Sequence, residues 1–340
     1  MCKDVMGISN TKDNHGIFTI SLDFELYWGM LDVVSINEYK NNLDGVENAI
    51  KGMLQIFKKY DINTTWATVG FLFAPNIKEL RKFFPDKQPS YLNTELSPYK
   101  YIAKNNELEE IFHFASGIID LIKSYKGQEI GSHTFSHYYC LESGQQKDEF
   151  RADIRSAVAI ANTKNTKLSS LVFPRNQWSD DYLSVLSEFG INCFRGNEHS
   201  WLYKPVSLEN SSLLRRAIRL VDAYFNISGN NCYDLNELST TKPHNIPSSR
   251  LLRPVNRKLI ALEGLRKNRI KHAIKHAAEQ GKLFHLWWHP HNFGVNTKEN
   301  LDFLEEILIY FKEMNKLYGM QSMNMGDVSK LLDTLNTQTS

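Results

Sequence analysis

The chain has no long apolar run. No stretch approaches the ~18 residues that a membrane helix requires, and the opening MCKDVMGISNTKDNHG lacks the apolar segment of a secretory signal. Cysteine is scarce. The four residues Cys2, Cys140, Cys193 and Cys232 lie far apart, with the spacing of neither a disulfide framework nor a zinc ribbon, so a reducing, cytoplasmic setting is expected. Net charge is nearly absent, formally +2, and nothing global points to nucleic acid or to an anionic surface as partner. Low-complexity tracts and solenoid-type repeats are missing too. What is present is ordinary globular material: 340 residues, 42% hydrophobic and 23% charged, ample for a large core in one or two domains.

Against this background Glu129–His137, EIGSHTFSH, stands out. A short apolar piece runs through Gly131 and Ser132 into His133 and His137. The four-residue gap predicts both imidazoles on one side of a helical turn, close enough to share an ion. Neutral imidazole is a common zinc ligand, but a catalytic zinc usually has three protein ligands and one open position. His272 and His276 repeat the spacing inside a basic amphipathic run with no strand before it, and read as a solvated helix face. No Glu follows His133, which excludes the metalloprotease helix pattern.

A third ligand can come from the first strand. Ile17–Leu22 is a β-branched and aromatic run ending in Asp23-Phe24-Glu25. Residues two apart in an extended chain share a face, so Asp23 and Glu25 point together. Two carboxylates at an apolar strand end are costly to bury unless something cationic meets them. Further strands are expected at Thr64–Val69, before His133, at Leu168–Phe173, Ile191–Phe194, Leu251–Val255, Lys282–Trp288 and Met320–Met323. Helices are expected at Asp44–Tyr60 (with Asp44 and Glu47 as a capping box), Leu108–Tyr125, Asp148–Asn162, from Ser179 to Gly190, near Leu213–Phe225, and at Arg257–Gln280, Lys298–Leu317 and Asp327–Leu335. This strand–helix alternation predicts a parallel sheet with helical crossovers. Polar residues at the C-terminal ends of at least four strands favour a closed ring over an open sheet. One barrel domain over 17–335 is expected, with tails at 1–16 and 336–340 and insertions near 71–107 and 196–250.

Ser21-Leu22-Asp23-Phe24-Glu25, His133-Thr134-Phe135-Ser136-His137, Pro174-Arg175 and Leu286-Trp287-Trp288-His289 resemble, in order, the successive motifs of the polysaccharide deacetylase family, carbohydrate esterase family 4. The resemblance spans roughly Ile17–Met325. It implies an α/β fold, a distorted (β/α) barrel of seven strands, and a divalent metal, zinc, as cofactor. It also implies hydrolysis of N-acetyl or O-acetyl groups on glycans, with a branch acting on other amides such as cyclic ureides. Carried over, His133, His137 and Glu25 are metal ligands, Asp23 the catalytic base and His289 the catalytic acid, with His291 its close rival. Arg175 is the arginine that pairs with the base. The match there is shifted by one residue, which leaves Arg195 as the alternative. Phe24 separates two carboxylates that are adjacent in the best-known members.

Trp28, Asn176, Trp288 and His291 are expected to contact substrate, aromatics being suited to stacking on sugar rings. A backbone N–H near Arg175 and Asn176 is expected to hold the oxyanion. The expected substrate is an N-acetylated carbohydrate, nucleotide- or lipid-linked in a cytoplasmic setting. The competing expectations are hydrolysis of another non-peptide amide, such as a cyclic ureide or imide, and a catalytically silent glycan-binding barrel.

Overall fold

The computed structural model describes residues 15–105, 107–204 and 212–339; the tail expected over 1–16 lies, up to residue 14, outside them. The strands are β1 (Ile17–Phe24), β2 (Thr64–Thr68), β3 (Gln128–Ser132), β4 (Ser170–Val172), β5 (Cys193–Arg195), β6 (His244–Asn245), β7 (Arg250–Leu251), β8 (Leu283–Trp288) and β9 (Gln321–Ser322). All their ladders are parallel, in the order β6-β5-β4-β3-β2-β1-β8-β7. β9 pairs Ile17 and Phe18 of β1, below Ile20, where β2 takes over. The expected (β/α) barrel is present, with nine strands among the described residues rather than seven.

Among the described residues no ladder joins the outer strands β6 and β7. The chain between them closes the ring instead. Residues 246–249 leave β6 and enter β7, and so few residues reach at most about 14 Å. This segment bonds to both sides: the Ile246 and Ser248 N–H groups donate to Phe194 and Gly196 carbonyls, and the Ser249 N–H donates to the His285 carbonyl.

β1 and β8 are buried along their whole length, as strands covered on both faces must be. Val46–Tyr60 buries Val46, Ala49, Ile50, Met53, Leu54 and Phe57 against the sheet, where Phe57 meets Trp66 and Trp288. Each such side chain contributes about 1.5–3 kcal/mol.

Several local expectations are corrected. The helix expected from Asp44 begins at Val46 with Gly45 as a cap that makes no side-chain bond. The capping box belongs to the preceding helix, Ile36–Asp44, where Ser35 and Glu38 bond reciprocally. Leu108–Tyr125 divides into Glu110–His113 and Ser116–Lys123. The long basic helix starts at Glu263, and the last one runs through Thr339, past Leu335.

Candidate active site

Because the strands are parallel, their C-terminal ends share one rim. Along β1 the period of two puts Ser21, Asp23 and Glu25 on the inner face, and along β8 it selects His285, Trp287 and His289. This parity corrects one expected substrate contact. Trp288 faces outward, fully buried, and stacks on Phe293 at 5.6 Å. Its neighbour Trp287 faces the site, with the Arg195 guanidinium 4.2 Å above its ring. Trp28 is corrected as well: it is core, edge-on to Phe71, its Nε1 donating to the His113 carbonyl at 2.7 Å.

His133 and His137 do converge, but on a loop rather than a helical turn. Thr134 and His137 adopt left-handed φ values of 62° and 58°, a conformation that costs free energy and persists only where surroundings impose it. Here the surroundings are buried Asp153 on helix Lys147–Asn162. Its Oδ1 accepts from Phe135 N at 2.6 Å, and its Oδ2 accepts from Ser136 N at 3.1 Å and from the Ser136 hydroxyl. Thr134 Oγ1 accepts from Tyr138 N at 2.7 Å. Gly70 and Phe71 donate to the carbonyls of Thr134 and Phe135. A Cβ at Gly70 would lie 2.8 Å from Phe135 Cα, so this approach needs glycine.

Glu25 Oε2 lies 3.2 Å from His133 Nε2 and 3.0 Å from His137 Nε2. One ligand atom from each residue falls within 4.8 Å of the other two. The outer nitrogens are engaged: His133 Nδ1 donates to the Val172 carbonyl at 2.8 Å, and His137 Nδ1 meets the Tyr139 hydroxyl at 3.0 Å. A carbonyl only accepts, so Nδ1 of His133 carries hydrogen, and Nε2 of a neutral ring presents a lone pair to Glu25. Two imidazole lone pairs and a carboxylate aimed at one point form a donor set that fits a divalent cation. Burial pushes His137 down to about 4, against the attraction of Glu25. Burial would raise Glu25, but His289 and His137 hold it well below the usual carboxylate range. Gly29 makes room for this carboxyl: a Cβ there would sit 2.1 Å from Glu25 Cδ.

Asp23 is gripped by Arg195, not Arg175. Arg195 Nη1 and Nη2 donate to its two oxygens at 2.7 Å each. Burial would raise Asp23, yet Arg195, His133 and His289 hold it below its ordinary value. Arg195 also donates to Ser21 Oγ and Asn176 Oδ1, each at 2.9 Å. Ser21 in turn meets His285 Nε2 at 2.9 Å. Arg175 instead pairs with Asp32 at 2.5 Å and covers the Tyr139 ring at 4.3 Å. Asn176 is at the site, but its backbone N–H donates to Phe173 O at 2.9 Å and is not placed for an oxyanion.

His289 Nε2 lies 3.7 Å from both Asp23 Oδ2 and Glu25 Oε1, with 26% of its side chain exposed. His291 stacks behind it at 5.1 Å, its Nε2 3.9 Å from Glu25 Oε1. At 3% exposure His291 is withdrawn from substrate, which corrects that expectation, and burial pushes it down to about 3. The sequence reading did not single out Asp153, Gly29, Ser21 and His285 for these roles. Parity along β1 and β8 would have flagged the last two.

A parallel (β/α) barrel with carboxylates and imidazoles gathered at its strand ends belongs among the barrel hydrolases. The chain belongs to the polysaccharide deacetylase family, hydrolases acting on carbon–nitrogen bonds other than peptide bonds: residues 44–194 match the family's model, polysaccharide deacetylase. That span holds His133, His137 and Arg175; Asp23, Glu25, Arg195 and His289 lie outside it. Among curated proteins nothing matches. Solved structures share the fold. A Mycobacterium smegmatis protein assigned as a polysaccharide deacetylase is 12% identical, with 96% of this chain and 93% of that one covered, at a TM-score of 0.58. The Puue allantoinase is 11% identical over 97% and 96%, at 0.53. A Pseudomonas aeruginosa PAO1 protein assigned as a polysaccharide deacetylase is 12% identical over 97% of each chain, at 0.52.

Proposed function

We propose that the protein is a divalent-metal hydrolase that removes the acetyl group from an N-acetylated sugar, in our reading a cytoplasmic nucleotide- or lipid-linked one. One observation carries the reading: Glu25 Oε2 and the Nε2 atoms of His133 and His137 converge beside an Asp23 carboxylate held by Arg195. Glu25, His133 and His137 would hold the cation, zinc in this reading. When bound it supplies Lewis acidity toward the acyl oxygen and toward water.

The chain's own residues do the rest. Arg195 keeps Asp23 ionised and fixes both of its oxygens. Asp23 takes a proton from water as the water oxygen bonds to the acyl carbon. His289, at the open side of the cluster, gives a proton to the departing nitrogen as the C–N bond breaks. His291, buried and neutral, backs the ring of His289.

The test is elemental analysis of the purified protein combined with acetate release from a panel of N-acetylated sugars. Asp23→Asn and His289→Ala should each lower turnover by about 10²–10⁴ with metal retained. His133→Ala should lose metal and activity together. Metal with turnover of a ureide or imide but no acetate would move the substrate to that class. A protein with neither metal nor turnover would be a silent barrel.

A further inference from the structure

The helix Leu213–Asp222, in the excursion that leaves β5 at the rim, is built inside out. Its sequence LLRRAIRLVD is strongly amphipathic, but the polar side faces the protein. Arg215, Arg219 and Asp222, at i, i+4 and i+7, share one face. Arg215 donates to the carbonyls of Leu202, Trp201 and Lys204 at 2.7, 2.8 and 3.0 Å, and Arg219 to that of Leu202 at 2.9 Å. Asp222 is fully buried between Arg250 (3.0 Å), Arg269 (2.8 Å) and the Tyr203 hydroxyl (2.8 Å). The apolar side is left in water: Leu213 is 80% exposed and Leu214 71%, with Leu220 and Val221 exposed beside them. Phe225 and Ile227, just past the helix, are also exposed, as is Trp201 on the segment the arginines grip. Amphipathic surface helices normally turn the apolar stripe inward, and large exposed apolar patches mark interaction sites.

The charge around the patch selects its occupant. Lys204 and Arg216 are exposed at its margin, and the one acid of the helix, Asp222, is neutralised inside. A two-fold contact with a second copy would set this basic margin against itself. Leu, Val, Phe and Trp on one side with basic residues at the edge suit a bilayer interface carrying anionic headgroups. Ten residues span only about 15 Å, and no described helix is long and apolar enough to cross a membrane. The element therefore lies in the plane of the interface.

We infer that the outward face of Leu213–Asp222, with Trp201, Phe225 and Ile227, docks the protein on an anionic lipid surface. The test is co-sedimentation of the full chain with phosphatidylcholine vesicles, with and without phosphatidylglycerol. Binding is expected to the anionic vesicles, to weaken with salt, and to fall more than about tenfold in Leu214→Glu/Val221→Glu. Lys204→Glu should weaken it on anionic vesicles while leaving apolar burial untouched. Circular dichroism melts matching the parent show that the variants fold; both changes sit on exposed side chains. Absence of sedimentation with either vesicle, or equal binding by the double variant, overturns the inference. So does a dimer in light scattering that Leu214→Glu/Val221→Glu dissolves, since the face would then belong to a second copy.

Discussion

Replacing Gly29 by alanine isolates the contribution of Glu25 without touching it. The added Cβ would stand 2.1 Å from Glu25 Cδ and 2.2 and 2.6 Å from its oxygens, where ordinary contact begins at 3.4 Å. The carboxyl must therefore move by about 1 Å or more, whereas metal–ligand distances tolerate about 0.2 Å. Because Glu25 is walled in by His133, His137, His289 and His291, the displaced group cannot keep its distances to both ligand imidazoles. Disturbing only an outer partner of a ligand weakens metal affinity about 10–100-fold, and displacing a ligand should exceed that. We expect at least ~10²-fold weaker affinity, about 2.7 kcal/mol, read by competition with a chromophoric chelator, with acetate release falling in parallel. Gly117→Ala is the control. Nothing lies within 4 Å of its Cβ, and in a helix interior it should stabilise the fold by about 0.5–1 kcal/mol with metal affinity unchanged. A Gly29→Ala protein that binds metal as the parent does would refute the claim that Glu25 is a ligand in this position.

Arg195→Met should destabilise by about 3–5 kcal/mol, because it leaves Asp23 as a buried, unpaired carboxylate; adding Asp23→Asn should restore part of the loss in urea denaturation, and a change below about 1 kcal/mol would contradict the pairing. Tyr139→Phe removes the hydroxyl on His137 Nδ1 and should weaken metal affinity about 10–100-fold with little change in melting; unaltered affinity would show that the hydroxyl does not orient the ring. Metal-stripped protein should lose stability on acidification. His137, His285 and His291 are held near 4, 3 and 3 by burial, whereas in the unfolded chain each titrates near ~6.5. The unfolded state therefore binds more protons between those values, and stability falls as pH drops from ~6.5 toward 4, by on the order of 3 kcal/mol per histidine. Urea midpoints that stay level across that window would show that these rings are not buried neutral.

The sequence reading reached the carboxylates and imidazoles because their signals are local. Asp23 and Glu25 are set by the period of a strand, and His133 and His137 by the loop that follows one. The same period, applied to LFHLWWH, would have chosen Trp287 over Trp288. Arg195 over Arg175 could not be settled this way. Both end apolar runs, and the choice depends on the left-handed turn at Arg175 and Asn176, which sends the Arg175 side chain to Asp32 and Tyr139. Asp153 was out of reach because its partners are loop N–H groups 17 and 18 residues away. The strand count was short because β6, β7 and β9 have two residues each, too few to leave a periodic trace.

The segment 246–249 gives the ring a covalent clasp where another strand ladder would have stood. A ladder can slip in register or part along its length; a peptide tether of four residues can do neither. Cutting the backbone there would give the molecule two raw sheet margins at once, one beside Arg195 and the other beside His285, so the width of the catalytic mouth is governed by a connection that carries none of its chemistry.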